Sequence, residues 1–193
     1  MSRIHDRLDE ILPRIQEESF MEGKGLGNEV GYYVFDYEPE DELLVRDHVQ
    51  FVKEKMNNKE IYPDIIEFNL YHVMLDILED KGYLRKIMKM EESRGTDKAL
   101  NGLKSSLRLT SSGSNSLVKY ITDKVSDDQI VFITGVGQAW PVIRSHTVLN
   151  NLHQVLDSVP VVMFFPGEYS GSELILFGKI KDDNYYRAFR LVE

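Results

Sequence analysis

Four short apolar runs with almost no hydrophobic–polar alternation constrain this chain more than any other feature: residues 31–37, 65–70, 129–134 and 159–167. A strand with one wet face alternates, whereas a strand covered on both faces reads as a continuous apolar run. The segments between them carry apolar residues at helical spacing. Together they predict an α/β fold: a three-layer sandwich with a mostly parallel sheet and helices on both faces. Residues 1–193 read as a single α/β domain, a length that buries a full core. Within it, 1–19 form an N-terminal amphipathic helix with Ile4, Leu8, Ile11, Leu12 and Ile15 on its apolar side. Pro13 is placed to kink or split that helix.

The first strand leads into Glu38-Pro39-Glu40-Asp41-Glu42, a helix start with proline and acids in the first turn. Leu43, Leu44, His48, Phe51, Val52 and Met56 continue that helix on one face. A further helix opens at Tyr71 and ends near Gly82, and 83–109 hold one or two more, broken around Gly95 and Gly102. Residues 111–116 make a polar connector and helix cap before a helix over 117–125. Residues 173–177 and 187–192 are weaker strands. Right-handed crossovers bring the strand C-terminal ends to one edge. Asp36, Asn69, Thr134 and Pro166-Gly167 fall there, where open α/β sheets hold ligands.

The third strand breaks at Gly135-Val136-Gly137 and enters what reads as a long helix. A dinucleotide fingerprint would need a third glycine where Trp140 stands, and a phosphate loop would need Lys-Ser/Thr. Gly23-Lys24-Gly25-Leu26-Gly27-Asn28 also lacks that pair and follows a helix instead of a strand, so it reads as a flexible turn. In phosphate-loop ATPases a strand ending in acids holds magnesium; here the equivalent end offers Thr134-Gly135. The next strand, ending in Pro-Gly, resembles a neighbour in such a sheet. The expected architecture is therefore phosphate-loop-NTPase-like without the Walker motifs.

His146, Asn150 and His153 form a stripe, but His146 and His153 lie two turns apart, about 10 Å along a helix axis. That spacing suits structural histidines or a polar partner-facing surface better than a shared metal. Ser145 and His146 are adjacent and point about 100° apart on a helix, so they do not make a nucleophile–base pair. No Gly-x-Ser-x-Gly turn precedes a helix. Asp36, Glu67 and the acids at 38–42 supply carboxylates, most of which fit solvated helix-start charges. No catalytic residue, metal site or cofactor site emerges.

Zero cysteines exclude disulfides and thiolate chemistry and give no reason to look outside the cytoplasm. No apolar run approaches the ~18 residues of a membrane span, and the charged first residues lack a signal-peptide core. A net charge of −9 argues against broad DNA binding, leaving room only for a small local basic patch. It suits a protein that meets other proteins. The tail Asp182-Asp183-Asn184-Tyr185-Tyr186-Arg187-Ala188-Phe189-Arg190 turns and then offers tyrosines and arginines. It reads as an edge strand closing the sheet, as an interface, or as an aromatic and basic strip for single-stranded nucleic acid.

Four strings resemble the BrxB family of bacteriophage-exclusion (BREX) systems. They are Phe20-Met21-Glu22-Gly23-Lys24-Gly25-Leu26-Gly27-Asn28-Glu29 with Tyr33-Val34-Phe35-Asp36-Tyr37, and Gly135-Val136-Gly137 through Pro141. The others are Ile143-Arg144-Ser145-His146-Thr147-Val148-Leu149-Asn150-Asn151-Leu152, and Phe177-Gly178 with Asp182-Asp183-Asn184-Tyr185-Tyr186-Arg187-Ala188-Phe189. The resemblance implies a small cytoplasmic component of a multi-protein antiphage system that methylates host DNA and restricts phage. The family has no established catalytic residues. It implies a non-enzymatic adaptor whose partner is the alkaline-phosphatase-superfamily protein PglZ, the PglX methyltransferase or the BrxC ATPase. The candidate contact residues are Trp140, Arg144, His146, Asn150, Asn151, Tyr185, Tyr186 and Arg187. A degenerate nucleotide-binding or sensing protein of the same system is the alternative.

Overall fold

A computed structural model describes residues 3–21, 31–58, 62–109, 115–182 and 188–193. The N-terminal amphipathic stretch forms α1 (Arg3–Ile15) and a separate turn of helix, α2 (Glu18–Met21), the break following Pro13 by two residues. After β1 (Tyr32–Tyr37) a short 3-10 turn at Pro39–Asp41 leads into α3 (Glu42–Asn57), then β2 (Asp64–Asn69) and α4 (Leu70–Asp80). An antiparallel helical hairpin, α5 (Leu84–Arg94) and α6 (Thr96–Leu107), precedes α7 (Ser116–Thr122) and β3 (Gln129–Thr134). The chain continues through α8 (Val136–Ala139), α9 (Ser145–Leu152), β4 (Val161–Tyr169), β5 (Leu174–Leu176), β6 (Ile180–Lys181) and β7 (Ala188–Arg190).

The five strands β2-β3-β4-β1-β7 pair in parallel in that order, and β5 and β6 extend β4 antiparallel. Alternate residues of each strand feed two cores. Tyr33, Phe35, Phe132, Val162 and Phe164 face α1 and α3, while Val34, Val131, Ile133, Met163 and Phe165 face α4, α7 and α9. The connection from β1 to β2 runs one way across the sheet and those from β2 to β4 run back. Crossovers of one hand must then lie on opposite faces, which makes the three layers. No helix among the described residues is long and apolar enough to cross a membrane.

Four expectations need correcting. On α3 the buried stripe is Val45, Val49, Val52 and Met56, leaving Leu43 71% and Phe51 44% exposed. The i, i+4, i+7, i+11 spacing of the smaller residues defines the face, and not the larger apolar side chains. The long helix after Gly135 is two short ones, because Pro141 has no N–H to donate and biases Trp140 to an extended backbone. Pro166-Gly167 does not stop β4. The β3 ladder ends at Met163, so the absent Pro166 N–H interrupts no rung, and its carbonyl accepts from the Phe177 amide at 2.8 Å. Gly102 also breaks nothing. It sits inside α6 where an added Cβ would lie 3.0 Å from Ile87 Cδ1, and so lets α5 pack close.

Candidate functional site

The chain leaves β1 toward one side of the sheet and leaves β4 toward the other, so the topological switch lies between them. Ligand crevices of open α/β sheets form at such a point, and a cleft of about 300 Å³ opens there. Its floor is a charge node built around Asp36, only 8% exposed. Arg7 of α1 donates to the Asp36 carbonyl at 2.7 Å and to Oδ1 at 2.8 Å, with its guanidinium 4.8 Å from the centre of the Phe35 ring. Asp36 Oδ2 accepts the Tyr169 amide at 3.0 Å and lies 3.7 Å from Arg190, which also donates to the Tyr169 carbonyl. One buried carboxylate thus ties α1, β1, β4 and the C-terminal β7. The rim adds Glu38, Asp41, Glu168 and Glu193. Acids outnumber cations, an arrangement that repels phosphate.

A second cleft of about 240 Å³ lies beyond Tyr37, which walls both. Tyr37 donates to Glu42 at 2.6 Å, and burial, aided by that carboxylate, pushes its hydroxyl far above the usual range. Glu67 accepts from Lys53 at 2.7 Å and from Thr134 at 2.6 Å. Asp36 and Glu67 therefore form no carboxylate pair, because each is held by its own cation in a different cleft. Asn69 caps α4, accepting from the Tyr71 and His72 amides at 3.1 and 3.2 Å. Gly135 has φ +68°, and a Cβ on it would overlap the Asn69 side chain. A Cβ on Gly137 would lie 2.8 Å from Phe177. The Gly135-Val136-Gly137 turn thus admits a helix cap and an aromatic ring.

The third feature joins α9 to the segment after β6. Asp182, 8% exposed, accepts from Ser145 Oγ at 2.9 Å and the His146 amide at 3.2 Å through Oδ2. Its Oδ1 meets His146 Nδ1 at 2.6 Å and Arg144 Nε at 3.2 Å. Because α9 has no side-chain cap of its own, Asp182 caps it from 36 residues away. Burial works to raise the Asp182 pKa, but the bonds from His146 and Ser145 outweigh it and hold the carboxyl at about 2. Thr147 lies 3.0 Å from His146 Nε2. Ser145 thus donates to the same acid as the histidine, and a nucleophile relay would need it to donate to the histidine.

The predicted contact residues part company here. Trp140 is 40% exposed, Arg144 is half exposed and Asn150 is exposed. His146 turns inward to Asp182, Asn151 donates to the Thr147 carbonyl at 2.7 Å, and His153 packs 4.9 Å from Tyr32. The histidine stripe is therefore divided between two interior contacts. An apolar cleft of about 150 Å³ is lined by Leu109, Leu117, Pro141, Val142 and Val148 together with Lys104 and Arg144, while Trp140 lines a much smaller crevice with Arg144 and Asp182. Tyr185, Tyr186 and Arg187 lie outside the described residues, as does the glycine turn at 23–28. Among the described residues no group of three His, Asp or Glu is placed to hold a metal. The sequence reading missed Arg7 and Asp182. Arg7 is one of several charges near the N-terminus with nothing local to single it out, and Asp182 reads as a turn residue.

No solved structure matches the chain, so the likeness to a phosphate-loop NTPase has no structural neighbour behind it beyond the layered parallel sheet. The sequence model described as BREX protein BrxB matches residues 66–191. A Bacillus cereus BREX protein BrxB is 58% identical over 193 residues, covering all of both chains. An Escherichia coli BREX protein BrxB is 32% identical over 188 residues, 96% of this chain and 90% of that one. The strings around Trp140, Ser145 and Asp182 that suggested the resemblance thus lie within a match spanning the fold, and the chain belongs to the BrxB family of BREX proteins.

Proposed function

We propose that this protein is a non-enzymatic assembly component of a BREX antiphage complex, working in the cytoplasm through protein contacts that host DNA methylation and phage restriction both need. The observation that carries the reading is Trp140, the only tryptophan of the chain, standing 40% exposed in the wall of a small crevice that it shares with Arg144, while Arg144 and Lys104 also line an apolar cleft. Tryptophan and arginine dominate the energetics of protein interfaces. The Asp182 node holds α9, and with it Arg144, in place before any partner arrives. Pre-ordering of that kind lowers the entropic cost of binding.

PglZ is the favoured partner, with PglX and BrxC as the other components to test. Tagged protein co-expressed with the rest of a BREX system should capture one of them. The paired substitution Trp140→Ala with Arg144→Ala should weaken capture by ~30-fold, as loss of a hot spot does, while leaving the circular dichroism spectrum unchanged. Capture of no component by the unaltered protein would sink the reading. The nucleotide-sensing alternative has the crevice at the switch point in its favour and the crevice's acidic rim against it. Calorimetric titration with ATP and GTP separates the two, since assembly by contact alone predicts no heat.

A further inference from the structure

The hairpin of α5 and α6 carries a charge opposite to the rest of the molecule. Residues 84–108 hold seven of the 23 basic residues and three of the 32 acidic ones, +4 in a chain of −9, leaving −13 for everything else. Elsewhere eight described cations are matched with an acid, among them Arg7 with Asp36, Arg46 with Glu42, Lys53 with Glu67, Lys119 with Asp123 and Lys181 with Glu173, while others such as Lys55, Lys124 and Lys179 are not. On the hairpin, none of the described cations makes an ion pair. All seven are exposed, and only Ile87, Ala99 and Leu107 of these two helices are buried.

Their spacing is unfavourable for folding alone. Arg85 and Lys89 stand at i, i+4, Lys86 and Lys89 at i, i+3, and Lys104 and Arg108 at i, i+4. Like charges so placed destabilise a helix by a few tenths of a kcal/mol each. A local rule broken repeatedly without a compensating contact marks function. Arg85, Lys86 and Lys89 point away from Ile87 and the core, and Lys86 lies 5.2 Å from the exposed ring of Tyr83. On α6, Asn101 and Ser105 add exposed hydrogen-bonding side chains near Lys104 and Arg108.

We propose that the outer face of the α5–α6 hairpin docks the phosphate backbone of nucleic acid without reading its sequence. Four of the seven cations are lysines. Lysine is depleted at protein–protein interfaces and charge is depleted at their centres, whereas Lys, Arg, Ser and Asn are the side chains that contact phosphates. The whole-chain charge of −9 does not oppose this, because the field at a surface within a Debye length, about 8 Å at physiological salt, follows the local charges.

The test uses the full chain with a labelled mixed-sequence duplex DNA and a single-stranded RNA, read by fluorescence anisotropy over a salt series. Binding should weaken with salt, and the triple variant Arg85→Glu, Lys86→Glu, Lys89→Glu should flatten the salt slope by roughly 1 per cation altered. All duplex sequences should be affected alike. A control reversing three exposed cations elsewhere (Lys55→Glu, Lys124→Glu, Lys179→Glu) should bind less weakly than the hairpin variant by at least ~10-fold, a difference of 1.4 kcal/mol. A Gln version of the hairpin triple guards against misfolding and should also lose binding. Absence of binding to both probes at about 50 mM salt, equal losses in the control, or hairpin-dependent capture of an acidic protein without nucleic acid would overturn the proposal. The variants leave Trp140, Arg144 and Lys104 intact, so partner capture should persist and the two readings fail independently.

Discussion

The Asp36 and Asp182 nodes and the α5–α6 hairpin treat charge in opposite ways. At the nodes, two nearly buried carboxylates each collect several donors from elements far apart in sequence. On the hairpin, seven cations stand exposed without an ion pair. A buried charge is tolerated only with partners, and removing one partner strands the other. An exposed charge can stand alone at little cost to folding. The nodes therefore hold the fold, and the hairpin is the region whose charge the fold does not use.

Breaking the stronger node should have the largest effect. Asp36→Ala leaves Arg7 and Arg190 without their shared acid and should destabilise the protein by about 3–5 kcal/mol, measured by urea unfolding. Asp182→Asn should cost about 1–3 kcal/mol and loosen the start of α9. It also carries a pH signature. The Asp182 pKa is lower folded than unfolded, so its contribution is complete above the unfolded value and is lost as pH falls from about 4 to about 2. The acid-unfolding curve of the Asn variant should lack that portion of the slope. Gly135→Ala forces a side chain into a left-handed backbone and against Asn69, and about 1–3 kcal/mol should go, seen as a lower Tm. The smallest change is expected on the hairpin. Reversal of Arg85, Lys86 and Lys89 should leave stability within about 0.5 kcal/mol, and a larger loss would show that those cations do serve the fold.

Much of the scaffold was readable because both sheet faces are covered. The runs around Val34, Ile66, Val131 and Val162 had to be strands of a parallel sheet, and Ile4, Leu8, Ile11 and Ile15 had to be one face of a helix. The buried side of α3 was misread because Leu43 and Phe51 outweigh Val45 and Val49 in apolar size, whereas helical periodicity selects the valines. The Gly135 turn was legible as a required turn and illegible in purpose, since its reason is the cap on Asn69. His146 read as either a structural histidine or a partner-facing one, and the choice was not legible because the acid that draws it inward is 36 positions away.

Sequence alone determined the layered parallel sheet, the amphipathic N-terminus, the glycine at position 135 and the strings shared with the BrxB family. These follow from periodicity, backbone geometry and residue identity, all of which are local. Tertiary structure alone decided that Asp36 and Asp182 are nodes, that Trp140 stands exposed near Arg144, and that the hairpin's cations go unpaired. A charge is defined by what lies within a few ångströms of it, and only the fold brings residues 7, 36 and 190, or 145 and 182, to that distance.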